Sequence, residues 1–101
     1  MEVYTIMERE YYSSYNMNDN IRIVVDDNPD DIEREGLHCH AVKVHRGRVA
    51  FICLPSCRFN KAPKKDDLSY MEQNKVLKFC ESIKDQLITD CRAVLKKDKK
   101  K

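Results

Sequence analysis

Glycine and proline are scarce in this chain, with two Gly and three Pro in 101 residues. Regular elements should therefore fill much of its length. No apolar run approaches the roughly 20 residues of a membrane span. The opening residues, MEVYTIMEREYYSS, have neither a basic n-region nor an apolar h-region, which argues against a signal peptide. C-x-x-C and H-E-x-x-H are both missing, so no common zinc or redox signature stands in the sequence. The cysteines are Cys39, Cys53, Cys57, Cys80 and Cys91. Their odd number and irregular spacing do not read as a disulfide framework, and free thiols in a cytoplasmic protein are expected.

What is present fits one globular domain: 42% hydrophobic and 36% charged residues are neither the composition of a disordered segment nor that of a membrane protein. The net charge of +2 is unevenly placed. Residues 96–101, KKDKKK, carry five Lys and one Asp, or +4, which leaves −2 on the other 95 residues. A single domain over 1–95 with a basic tail over 96–101 follows. A duplex-binding protein usually carries its basic patch on the fold itself, so nucleic acid is not the favoured partner.

Val3 to Met7 has strand character, and Ile21 to Val25 reads as a clear strand. The Tyr-rich segment 8–20 between them reads as a loop. Asp26 to Gly36 is an acidic connection, with Asn28-Pro29 as a turn signal. Leu37 to His45 and Arg48 to Leu54 are two further strands, joined by a two-residue turn at Arg46-Gly47. After the loop 55–67, Ser69 and Glu72 fit a capping box. Apolar residues then recur at Val76, Cys80, Ile83, Leu87, Cys91 and Val94, which is helical spacing. One helix of about 26 residues would be near 40 Å long, so a break around Asp85 to Asp90 is expected. The fold class is α+β: a small, mostly antiparallel sheet of three or four strands on a C-terminal helical segment.

The hairpin register follows from strand alternation. With His45 opposite Arg48, His40 stands opposite Cys53, and one face carries His38, His40, Val42, Val44, Val49, Phe51 and Cys53. H-x-H on a strand points both imidazoles the same way. His38, His40 and Cys53 are therefore the candidate metal ligands, with zinc the cofactor suited to imidazole and thiolate. The structural alternative is two hydrogen-bonded histidines beside a small core cysteine. A Cys–His nucleophile pair needs an orienting group and an oxyanion hole, and the sequence assigns neither, so no catalytic residue is named.

Asp26, Asp27, Asp30, Asp31, Glu33 and Glu35 do not form an EF-hand loop, because Pro29 intrudes and the loop glycine is absent. A solvated connection, or a patch for a basic partner, is the expectation. Tyr11 and Tyr12 are candidate contact residues, since Tyr is enriched at interfaces. Leu77, Ile88 and Leu95 widen the helical stripe, part of which is expected to pack on the hairpin through Val42, Val44 and Phe51. The surplus at Ile88 and Leu95 is expected to meet a second copy, as a homodimer through the C-terminal helix.

The stretch N-P-D-D…G-L-H-C-H-A-V-K-V-H-R-G-R-V-A-F-I resembles a small bacterial family of unknown function. Its signature is N-P-P-H-F-H-V followed by a strand, a Gly turn and a strand with a central Ala. The resemblance implies histidine equivalents at His38 and His40, a turn at Gly47, a C-terminal helical segment and a setting often near toxin–antitoxin-like loci. Residues and resemblance together favour a small non-enzymatic binding module acting through protein contacts, as a regulator or antitoxin-like component. The alternatives are a nucleic-acid-associated regulator using the Lys tail and a His/Cys metal-site hydrolase.

Overall fold

A computed structural model describes residues 11–98. The expected strand Val3 to Met7 and the last three lysines lie outside the described residues. Five strands form one antiparallel sheet in sequential order: β1 Tyr11–Asn16, β2 Ile21–Asp26, β3 His38–Lys43, β4 Gly47–Cys53 and β5 Arg58–Phe59. Three helices complete the fold: α1 Pro29–Glu35, α2 Tyr70–Ser82 and α3 Lys84–Asp98. The α+β class stands, with five strands where three or four are expected. Among the described residues, no helix is long and apolar enough to cross a membrane.

Segment 8–20 is not a loop throughout, because it contains β1. Tyr11, Ser13 and Tyr15 are half-buried while Tyr12, Ser14 and Asn16 are exposed. Ser13 and Tyr15 pair with Val25 and Ile23 on the helix-covered face, while the register shift between Tyr11 and Ser13 sets Tyr11 beside Asp26 on the other; such alternation marks an edge strand with one covered face. The acidic connection likewise holds a helix. Asn28 caps α1 by accepting from the Asp30 N–H at 3.0 Å, Pro29 opens its first turn, and Ile32 is driven into the core. Proline's fixed φ suits the first helical position, so Asn28-Pro29 starts a helix here.

The hairpin differs from expectation at its turn. Val44, His45 and Arg46 form a three-residue connection, with His45 at φ 68 and Gly47 at φ 85. His38 therefore stands opposite Cys53 and His40 opposite Phe51, and the register shifts between Ala41 and Val42. The offset is two residues, so each side chain before the shift keeps its face.

The capping box forms, with Ser69 Oγ accepting from the Glu72 N–H at 3.2 Å and Glu72 Oε1 accepting from the Ser69 N–H at 2.9 Å. The helical stretch breaks at Ile83, whose φ of −117 and ψ of 20 leave the helical region. This is slightly earlier than expected. The bend lets both halves press on one sheet. Val76 and Cys80 of α2 and Leu87, Cys91 and Val94 of α3 are fully buried. They form the core with Ile21, Ile23, Val25, Cys39, Ala41 and Ile52. The helices thus cover the Cys39–Ala41–Ile52 face, and the expectation that they rest on Val42, Val44 and Phe51 is corrected. The histidines lie on the opposite face.

Candidate metal centre

Strand pairing assembles the site. Val24 stands opposite His40 across β2 and β3. Two residues further along the same face, β2 ends at Asp26, which comes beside the histidines. Asp26, His38 and His40 are all buried, and one ligand-capable atom from each lies within 4.8 Å of the others.

Each side chain is held by a neighbour. His38 Nδ1 is 2.8 Å from the Gly36 carbonyl. A carbonyl only accepts, so Nδ1 carries the proton, which in the neutral ring leaves the lone pair on Nε2. Gly36 caps α1 at φ 84, a left-handed conformation that glycine adopts without penalty. The turn that ends α1 thus also sets the tautomer of His38. His40 Nε2 is 3.5 Å from Asp26 Oδ2, while Arg48 donates to Asp26 Oδ1.

Phe51 supplies the packing. Its ring stacks on His38 with centroids 4.4 Å apart and meets His40 edge-on at 5.2 Å. The two imidazoles are themselves 5.1 Å apart and nearly perpendicular. These contacts restrict rotation about χ2 and keep both rings close to one geometry.

Two of the three expected ligands, His38 and His40, come together. Cys53 lies half-buried opposite His38 in the ladder, but the close-set group is completed by Asp26. Asp26 follows the apolar run I-R-I-V-V, but only the pairing of β2 with β3 brings it to the histidines. Of the candidate contact residues, Tyr11 lies beneath the Arg48 guanidinium at 5.8 Å from its ring centroid. Tyr12 is exposed. Ile88 and Leu95 are partly buried and pack against the core.

All five cysteines are free. Cys39 and Cys80 approach to 4.0 Å, sulfur to sulfur, and Cys91 donates to the His38 carbonyl at 3.3 Å. The contact with Cys80 and burial push the Cys39 thiol far up. Burial raises Cys91 and Cys57. Nucleophilic chemistry needs a stabilised thiolate, and these environments do the reverse. Among the described residues, no group of three or more ligands is built from the cysteines.

A groove of about 450 Å³ opens beside His40, between β4 and the loop that follows β5. Its lining includes Arg48, Phe51, Asn60, Lys61 and Lys64. The Asn60 N–H donates to the Phe51 carbonyl at 3.0 Å, which fixes the start of that loop along the strand. No family model matches this chain, and no curated protein or solved structure does so either.

Proposed function

We propose that the chain is a metal-binding protein whose centre is Asp26, His38 and His40. The observation that carries this is the convergence of two imidazoles and a carboxylate on one buried sheet face. Tetrahedral zinc with bonds of about 2.0–2.1 Å holds its ligand atoms roughly 3.3 Å apart. The Asp26–His40 separation of 3.5 Å is already of that size. A ligand atom of His38 lies within 4.8 Å of both. Donation of its Nδ1–H to Gly36 is the outer-sphere arrangement that orients a ligating imidazole.

Three protein ligands leave a fourth position open, the pattern of catalytic rather than structural zinc. A metal held there would polarise a bound water or an incoming carbonyl or phosphoryl oxygen. His40 also lines the groove, so a metal held there would lie next to that groove. Arg48 would hold the Asp26 carboxylate in place. The test is metal content. Protein stripped with EDTA, incubated with zinc and desalted should retain about one zinc per chain, and the His38→Ala/His40→Ala variant none. Equal retention by both would overturn the reading.

Protein contact is a second reading, supported by Tyr70 at 66% and Met71 at 69% exposure, adjacent on the first turn of α2. We propose the partner as a second copy of the chain. Sedimentation equilibrium at tens of micromolar should then give twice the chain mass. Leu95→Glu would separate the copies if the C-terminal helices pair, and Met71→Glu if the start of α2 does.

A further inference from the structure

The groove beside the metal centre has a charge that the centre itself does not explain. Arg48, Lys61 and Lys64 bring three positive charges to its wall, against the single carboxylate of Asp67. That carboxylate is already engaged by Arg46 at the turn between β3 and β4. Arg48 is likewise engaged, by Asp26. Lys61 and Lys64 are exposed and have no ion-pair partner among the described residues. Two uncompensated ammonium groups thus stand in the loop that faces His40, on a chain whose body outside the terminal Lys run is net acidic. Random placement of charge on an acidic body does not favour a local excess of this sign in the groove beside His40.

We propose that this groove binds the phosphate group of a small phosphomonoester, with Lys61 and Lys64 as its cationic contacts and the metal at Asp26, His38 and His40 as the opposing one. The proposal rests on the metal reading for that last contact. A dianion suits the site better than a monocarboxylate, because two lysines and a divalent ion together offer more charge than one carboxylate would neutralise. Lysine acts on phosphate as a point charge on a flexible stem, and exposed lysines at a groove rim can close on the ligand. The volume of about 450 Å³ lies within the range of small-molecule sites. The apolar lining residues Phe51, Ala62 and Pro63 would take the organic part of the ester.

The probe is phenyl phosphate, titrated into the full chain by calorimetry, with and without one equivalent of zinc. Saturable binding is expected, tightened at least tenfold by zinc. Lys61→Ala/Lys64→Ala should weaken it at least tenfold while the zinc content stays at one per chain. Both lysines are exposed, so the double variant should fold, and its circular dichroism should match wild type. Binding of phenyl phosphate to zinc-free protein that is lost in the lysine variant would uphold the groove even if zinc is not retained, and only the metal reading would fall. Retained zinc with no saturable phenyl phosphate binding would overturn the groove and leave the metal centre standing. Unchanged affinity in the lysine variant would also overturn it. So would a single-stranded oligonucleotide that binds more than tenfold tighter than phenyl phosphate and is displaced by the same variant, which would make the ligand a polynucleotide.

Discussion

Replacing Asp90 with alanine should be among the most damaging single changes in the chain. Its carboxylate is 6% exposed in the middle of α3. It accepts from Ser13 Oγ at 2.7 Å, from the Tyr15 hydroxyl and from Gln86 Nε2 at 3.0 Å. Two of these donors lie on β1, so the carboxylate ties the edge strand to the helix. A hydrogen bond to a charged acceptor contributes about 1.5–3 kcal/mol, and three such bonds give an upper limit of about 5–9 kcal/mol. Gln86 is exposed and Ser13 half-buried, so both regain water when the carboxylate is removed. The main loss is then the Tyr15 bond plus part of the Ser13 bond, or about 3–4 kcal/mol. In a domain of this size that corresponds to a fall in Tm of at least about 12 °C. Tyr15→Phe removes one bond and should cost about 1.5–2 kcal/mol, and the two changes together should cost less than their sum. Thermal melts of the two single variants and the double variant measure this. A fall of less than about 4 °C for Asp90→Ala, or strict additivity with Tyr15→Phe, would refute the reasoning.

Leu87→Ala, at a fully buried position of α3, should cost about 2–5 kcal/mol by transfer and cavity formation, read from denaturant midpoints. Glu72 carries a pKa below its ordinary 4.5, held down chiefly by the Ser69 N–H; burial opposes this, and Lys43 adds to the lowering. A depressed carboxylate stabilises the fold above its unfolded value and loses that contribution as pH falls through the folded one. Glu72→Gln should therefore be less stable than wild type at pH 7, and the difference should shrink progressively as pH falls below 4.5. Ellman's reagent at pH 8 should label Cys53 first, since it alone of the five cysteines is not buried. Cys39 and Cys91, buried and with raised thiol pKa values, should react only when the protein is unfolded; prompt reaction of more than two thiols would contradict their burial.

The features that sequence reasoning located are the local ones. Ser69 and Glu72 are three residues apart, and their reciprocal caps need nothing from the rest of the chain. His38 and His40 share a face because the strand period is two. The helical stripe is legible for the same reason, and five of its six positions are fully buried. Asp26 was out of reach because its place beside the histidines depends on the pairing of β2 with β3. The connection between them hides a seven-residue helix in a run of acidic residues. β1 was missed because Y-Y-S-S-Y-N lacks aliphatic residues, and its inward side chains bond to Asp90, far away in sequence. The hairpin offset arises because the turn falls at Val44, His45 and Arg46, with His45 in the left-handed conformation, and because the register shifts again between Ala41 and Val42.

The metal centre is tested most directly by long-range nitrogen–proton spectra of the chain with 15N-labelled histidine, recorded before and after one equivalent of zinc. There are three histidines, and the exposed His45 at the hairpin turn is an internal control. The Nε2 resonances of His38 and His40 should move to the position of metal-bound nitrogen, His38 should keep its proton on Nδ1, and His45 should not change. Zinc that shifts His45 alone, or that leaves all three rings unchanged at one equivalent, would contradict the assignment.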